Sequence, residues 1–381
     1  MYFQGEDEMP VMMRESNARE SAESSAYISA KSSVHESAEI DAPDILLGDY
    51  RPVSTLKLKR DIPARSKYPA INVHCHLGAA TAGNVADGIA AMDATNTLAI
   101  VNLDGGLTFE CTCRAIDALD RAYPGRFYTF LNVESPDIGE ASFSSKIKVR
   151  IKASAGYGAK GIKLFKEMGL VVRDSAGSLI LPDDDRLRHV WESASENKLP
   201  VLYHIADPAA FFQPFGPSNE RFEQLRRHPA WRFCQPQYPG YDRLIEAMVN
   251  LLDRNPSTTF IFPHVASLVE DLPTLSDILD RYANCYFDIS ARIYEFARMP
   301  FSGRDFLIRY ADRALYGTDG DNIGGHPISY RVLETNDEYF NPRDGTDIMG
   351  PNARFMGYGL KLPDDVLEKI YFGNARRLLS I

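Results

Sequence analysis

Cysteine is sparse in this 381-residue chain: Cys75, Cys111, Cys113, Cys234 and Cys285 are odd in number and form no C-x-x-C pair. That excludes a disulfide framework and reads as free thiols in a reducing compartment. The Cys111-Thr-Cys113 pattern lacks the second pair that a zinc site needs, and reads as small apolar residues on a helix. Also missing is any run approaching the roughly 18 apolar residues of a membrane span. Basic charge is in deficit, with 42 Lys and Arg against 52 Asp and Glu, a net charge of −10. This balance counts against nucleic acid and against an anionic membrane surface as partners. No G-x-G-x-x-G follows the first strand-like segment, so an open dinucleotide-binding sheet lacks its signature. What is there, 44% apolar and 25% charged residues, is ordinary for a soluble globular protein with a sizeable core.

The first residues, Met1-Tyr-Phe-Gln-Gly5, resemble the remnant of a cleavable tag and are left out of fold reasoning. A cytoplasmic location is expected, and a signal peptide trimmed from the native start stays open. Up to about residue 45 the chain is rich in Ser, Ala and Glu and reads as a flexible lead-in. A single domain is expected over 46–381.

From Tyr68 the texture changes to short apolar runs alternating with amphipathic stretches. Eight runs, at 71–76, 98–102, 128–133, 161–165, 201–204, 259–264, 286–289 and 314–319, are β-branched or aromatic and bounded by Gly, Pro or Asn. That is how buried parallel strands read. Helical patterns lie between them: Cys111–Tyr123 with Ile116, Leu119 and Ala122 on one face, a helix opened by Asp183-Asp-Asp185, then Tyr241–Leu252, Leu272–Tyr282 and Asp364–Leu379. Eight strands alternating with helices predict an α/β fold, a (β/α)8 TIM barrel. Two connections, from Ile205 to about Pro239 after strand 5 and from Gly320 to about Leu362 after strand 8, exceed what a barrel needs. Long loops on the strand C-terminal face are where barrel enzymes hold their sites.

Of eight histidines, His74, His76, His204 and His264 fall at strand ends, and Asp319 closes the eighth strand. Residues two apart on a strand face one side, so His74 and His76 both point into the barrel mouth. With His204 from strand 5 and Asp319 from strand 8 they can share one divalent cation. Such a nitrogen–oxygen site suits zinc first, with manganese or iron as alternatives.

These residues resemble the amidohydrolase superfamily, in its amidohydrolase-related branch, over about residues 68–381. The likeness rests on Asn72-Val-His-Cys-His76, Gly158-Ala-Lys-Gly-Ile-Lys163, His204, His264, Tyr316-Gly-Thr-Asp319 and Ile370-Tyr-Phe-Gly-Asn-Ala-Arg-Arg-Leu378. It implies that His74, His76 and His204 are metal ligands and that Asp319 is both a ligand and the general base. It implies that His264 binds a second metal or polarises the substrate. Lys163, on the fourth strand, either bridges two ions as a carboxylated lysine or stays an ammonium; Lys160 and Lys166 lie close by. Gly320-Asp321 departs from the apolar residue and proline common after the last aspartate. A homo-oligomer is implied by the resemblance alone.

Around this set, Arg292 either grips a substrate carboxylate or pairs with Glu295 or Asp288. Lys166 and His326 are further candidates for substrate contact. Asn102 and Asp104 either line the pocket or make a turn. Phe211, Phe212 and Phe215 wall an apolar pocket or pack a loop onto the barrel. Two reactions on a small-molecule substrate fit. One is metal-dependent hydrolysis of an amide, lactone or ester, with Asp319 moving the proton and His264 stabilising the oxyanion. The alternative is non-oxidative decarboxylation of an aromatic or unsaturated acid. The lysine on strand 4 tilts the expectation to the hydrolase, with one or two ions. A non-catalytic barrel with a vestigial site is the third reading, disfavoured because unused buried polar groups cost stability.

Overall fold

The computed structural model describes residues 44–46, 49–50, 52–78, 85–133, 138–320, 323–342 and 355–381. The lead-in up to residue 43 and Asp321 lie outside these. The chain divides into a unit over Met1–Lys57 and a second over Leu58–Ile381. In the first, the described residues are exposed and without helix or strand. The second holds all the regular structure among the described residues.

Eight strands pair in parallel in chain order: β1 (Ala70–Cys75), β2 (Thr97–Asn102), β3 (Phe127–Asn132), β4 (Gly161–Leu164), β5 (Val201–Tyr203), β6 (Phe260–Phe262), β7 (Cys285–Asp288) and β8 (Ala314–Leu315). The cylinder closes through backbone bonds from Val73 N to Tyr316 O, Asp319 N to His74 O and His76 N to Gly320 O, each 2.9 Å. This is the expected (β/α)8 barrel. A helix follows each strand: α1 (Val85–Thr95), α2 (Phe109–Ile116), α3 (Phe143–Tyr157), α4 (Arg188–Glu196), α5 (Tyr241–Arg254), α6 (Leu272–Arg281), α7 (Ser302–Arg309) and α8 (Asn374–Leu379). No helix among the described residues is long and apolar enough to cross a membrane.

The sequence dictates which faces turn inward. On α5, Leu244, Ala247, Met248, Leu251 and Leu252 are buried, the i, i+3, i+4, i+7, i+8 stripe of an amphipathic helix. Each large side chain so buried contributes about 1.5–3 kcal/mol. Asp271 caps α6 by accepting from Thr274 N at 3.1 Å. A second apolar cluster joins Ile71, Val73, Ala99, Val101, Phe130, Leu202, Ile261 and Leu315. Residues from six strands around a cylinder meet only inside it, so this cluster fills the barrel. Gly161 makes room for it, since a Cβ there would stand 2.3 Å from the Phe130 ring.

Three expectations needed adjusting. The helix foreseen to Tyr123 is α2 followed by a π-turn over Asp117–Arg121; the extra residue shifts the helical phase, so Ile116 and Leu119 are buried but Ala122 is exposed. The last helix is likewise divided by a π-turn at Lys369–Gly373. Strands β6 and β8 end at Phe262 and Leu315, so His264 and Asp319 sit beyond the ladders, on irregular backbone.

Candidate metal centre and substrate pocket

The β1–β2 ladder shifts register between Asn72 and Cys75, where His74 lies. Such irregularities re-aim side chains next to active sites. Gly317 lets the ring in, because a Cβ there would be 2.9 Å from the His74 Cβ. His74 Nδ1 is 2.8 Å from Asp288 Oδ2, and His76 Nδ1 is 2.9 Å from Asp104 Oδ1. A carboxylate only accepts, so in each ring Nδ1 donates and Nε2 is the nitrogen turned toward the site. His74 Nε2 is buried and has no hydrogen-bond partner. It lies 3.1 Å from Asp319 Oδ1, which is also 3.5 Å from His76 Nε2. His74, His76 and Asp319 thus gather three ligand atoms within 4.8 Å, and an orphaned imidazole nitrogen among them fits a divalent cation.

The partners behind these rings are as informative. Asp288 is fully buried and accepts from His264 N at 3.1 Å and Ser290 N at 2.9 Å, while Ser290 Oγ also donates to it. Burial works against its charge, but the neighbouring His74 outweighs this and holds the carboxyl well below the usual range. This is the carboxylate–histidine arrangement that orients a metal ligand. Asp288 also forms a ligand-like group with His74 and His264. Ser290 Oγ lies 3.0 Å from Nδ1 of both rings, so that group is already satisfied by hydrogen bonds.

His264 opens a turn in which His264, Val265, Ala266 and Ser267 all have φ between 53° and 60°. Left-handed backbone costs about 1–2 kcal/mol per non-glycine residue, so tertiary contacts must hold it. Tyr241 Oη donates to Ser267 O, Ser267 Oγ donates to Ala206 O, and His264 N donates to Asp288. The turn aims His264 Nε2 at Asp319 Oδ2, 3.8 Å away, while Nδ1 donates to Ser290 O at 3.0 Å. As placed, His264 therefore presents a proton acceptor to the site. Burial, with the charge of His204 added, holds its pKa well below 6.5. Asp319, itself at φ 62°, stays ionised: burial opposes its charge, but His74 and His264 pull its pKa well below the usual range.

His204 does not join the three-residue group. Its ring centroid is 4.4 Å from that of His264, but Nε2 faces Ala206 O at 3.2 Å and Asp207 Oδ1 at 3.5 Å. That leaves Nδ1 bare, and burial lowers its pKa to about 4. Lys163 is fully buried on β4, with Nζ 5.0 Å from the centre of the Phe165 ring. Burial pushes its pKa down to about 8 against the pull of Asp319, Asp288 and Asp104.

Beside the histidines opens a cavity of about 140 Å³ lined by Lys166, His204, Asp207, Pro208, Phe211, Arg221, Gln224, Trp231, His264, Ala291, Arg292 and Asp319. Arg292 is 3% exposed, spends one Nη1 bond on Ala291 O at 2.8 Å, and leaves Nε buried without a partner. Neither Glu295 nor Asp288 pairs with it directly among the described residues; Glu295 pairs with Arg221 instead. Lys166 is held by Asp207 at 2.5 Å. Phe211 lines the cavity and stacks on Trp231 at 5.8 Å, whereas Phe212 and Phe215 pack against the core. His326 stands apart from the cavity lining: it precedes the helix Pro327–Glu334, with Nδ1 2.7 Å from Ser329 Oγ. Sequence reasoning left Asp104 open as pocket or turn, and the structure puts it behind His76. It missed Asp207, Arg221 and Trp231, which no spacing marks; only their position in the long loop after strand 5 pointed their way.

No curated protein matches the chain. Among solved structures, 2,6-dihydroxybenzoate decarboxylase from Rhizobium is 16% identical, with 82% of this chain and 99% of that one covered and a TM-score of 0.48. A dihydroxybenzoic acid decarboxylase from a Polaromonas species, with bound manganese, is 15% identical over 82% and 97%, TM-score 0.49. A 4-oxalomesaconate hydratase from Rhodopseudomonas palustris is 15% identical over 82% and 95%, TM-score 0.48. The family model described as amidohydrolase matches residues 75–381, from within the His-x-His of β1 to the last residue. On that match the chain belongs to the amidohydrolase family, whose members are metal-dependent enzymes.

Proposed function

We propose that the chain is a metal-dependent hydrolase cleaving an amide, lactone or ester bond in a small substrate that carries a carboxylate. The observation that carries this reading is the convergence of His74, His76 and His264 Nε2 on the Asp319 carboxylate, beside a pocket with a buried, ion-pair-free arginine. His74, His76 and Asp319 would hold the ion, zinc first with manganese or iron as alternatives. When bound, such an ion polarises a carbonyl and lowers the pKa of water to about 7.

The chain's own residues supply the rest. Arg292 anchors the substrate carboxylate, for which a guanidinium fork is suited. Phe211 and Trp231 keep water from its apolar part. Asp319, ionised and 30% exposed toward the pocket, accepts the proton of the attacking water at Oδ2 and returns it to the leaving group. His264 and His204 each offer a bare ring nitrogen. A pocket so rich in proton acceptors suits a reaction that begins by removing a proton from water. Lys163 and His204, with His264, are where a second ion would be held, Lys163 then as a carboxylated bridge. His326 would act only through the loop it anchors. All of this chemistry is assigned to one barrel domain from about residue 46.

A second reading is favoured by one observation: the ammonium groups of Lys163 and Lys166 are proton donors beside the same ligands. Donors serve decarboxylation of an aromatic or unsaturated acid, where a carbon must be protonated as CO₂ leaves. The test is elemental analysis of the unchelated protein followed by a panel of such acids and of their amides, esters and lactones. The hydrolase reading expects turnover of the second set, read as amine release from the amides and proton release from the esters and lactones, lost in Asp319→Asn. CO₂ release from the first set, with none of the second turned over, would overturn it.

A further inference from the structure

We propose that Asp207 sets how much negative charge the pocket accepts. By occupying Lys166 it turns that lysine from a carboxylate grip into half of a neutral polar subsite. The pocket then takes a substrate with one carboxylate, at Arg292, and an uncharged polar group at the β4–β5 wall. This rests on the reading of the same pocket as the substrate site.

Three cations line the cavity, and they differ in what each has already bound. Lys166 Nζ is 2.5 Å from Asp207 Oδ2, with the two side chains 22% and 8% exposed. Arg221 is paired with Glu295 and lies 3.8 Å from Glu270. Arg292 has neither kind of partner among the described residues; Glu295 and Glu270 act on it only through longer-range charge. One lining cation is thus left without a carboxylate in contact, and it is the one whose Nε is buried and unsatisfied.

A buried charge-assisted pair does not yield easily to a second anion. A carboxylate arriving at Lys166 would meet Asp207 in a site of low dielectric, where like charges repel strongly. A hydroxyl, amide or carbonyl meets no such penalty. Lys166 has three N–H donors and one is used, so a neutral acceptor can take another. Asp207 is fixed for this role on its other oxygen by His204 Nε2 at 3.5 Å, and the preceding Ala206 is tied to Ser267. Its charge therefore cannot swing away to admit an anion.

The test is calorimetric titration of the metal-loaded protein with benzoate and with isophthalate, which adds a second carboxylate to the same ring. Wild-type protein is expected to bind benzoate and to bind isophthalate at least about tenfold more weakly. Asp207→Asn frees Lys166 and should reverse that ratio, with benzoate affinity little changed. Lys166→Met bares Asp207 and should weaken isophthalate further while sparing benzoate. Equal binding of the two by wild-type protein, or an unchanged ratio in Asp207→Asn, overturns the proposal. So does a loss of benzoate binding in Lys166→Met, because Lys166 would then be the grip. Arg292→Ala separates the two levels of argument. It should abolish binding of benzoate, and retained affinity would overturn the carboxylate-anchor reading on which this inference rests. Wild-type protein that binds neither ligand overturns both.

Discussion

The two halves of the candidate site are built on opposite principles. On the β1, β7 and β8 side, His74 and His76 are each backed by one carboxylate and directed at a common acceptor, Asp319. On the β4–β5 side, Lys166, Asp207 and Arg221 are already paired among themselves or with Glu295, and Phe211 and Trp231 stack. The first half turns its ring nitrogens toward one carboxylate. The second is charge-balanced in advance except at Arg292. A catalytic centre needs unsatisfied lone pairs, whereas a selective wall gains from having spent most of its charge, since every satisfied group rejects a competing ligand.

That contrast can be broken or sharpened by substitution. The largest effect is expected for Asp319→Asn, which keeps the fold but lowers turnover by about 10²–10⁴-fold; near-normal rates with a substrate found by the panel would remove its role as proton acceptor. Next, Asp288→Asn should weaken metal affinity by about 10–100-fold, read by competition with a chromophoric chelator. Asp104→Asn should fall at the low end of that range, because Asp104 is 25% exposed and water can replace it. Equal losses would show that burial of the backing carboxylate does not matter.

On the other half, Glu295→Ala takes from Arg221, 3% exposed, the nearer of its two carboxylates and should cost about 3–5 kcal/mol of stability. Metal affinity should not move; a loss of metal in that variant would erase the division drawn here. The most graded effect is with pH. Burial disfavours a charged His76, but hydrogen bonds to Asp104 and Asp319 outweigh it and raise its pKa to about 9. A pKa above the ordinary 6.5 means that protonated His76 stabilises the metal-free protein, fully below pH 6.5 and decreasingly as pH rises through about 9. The ion must displace that proton, so metal affinity should climb about tenfold per pH unit across this window and level off above it. A flat profile would place the proton elsewhere.

Most of the first half could be read from the chain, and most of the second could not. Buried parallel strands announce themselves by short β-branched runs, and a strand fixes where a side chain goes, so His74 and His76 were legible on β1, whereas Asp319 was legible as a residue near the eighth strand but not by its left-handed backbone four residues past Leu315. His264 was legible as a residue but not as a geometry: nothing in His264-Val-Ala-Ser267 signals left-handed backbone, which runs against the intrinsic preference of all four. His204 was placed at the right strand end, yet its ring is engaged by Asp207 three residues later, a local competition that a strand pattern does not contain. Asp288 stood in view only as a partner for Arg292, because a backing carboxylate has no spacing rule relative to the histidine it holds, here 214 positions away. The loop residues Asp207, Arg221 and Trp231 are set by tertiary packing of a long connection, where one sequence constrains least.

The left-handed turn at His264–Ser267 also bears on when the site comes into being. Its backbone cannot be reached by local preference, so it waits for the docking of Tyr241 at the start of α5 and of Ala206 beyond β5. The strands and helices can assemble around the filled cylinder before that. The chemistry is therefore expected to lag the architecture during folding. Pulse-labelled hydrogen exchange should show the amides of Ser267 and Leu268, which donate to His264 and Val265, gaining protection after those of β5 and β6; simultaneous protection would mean that barrel and site form in one event.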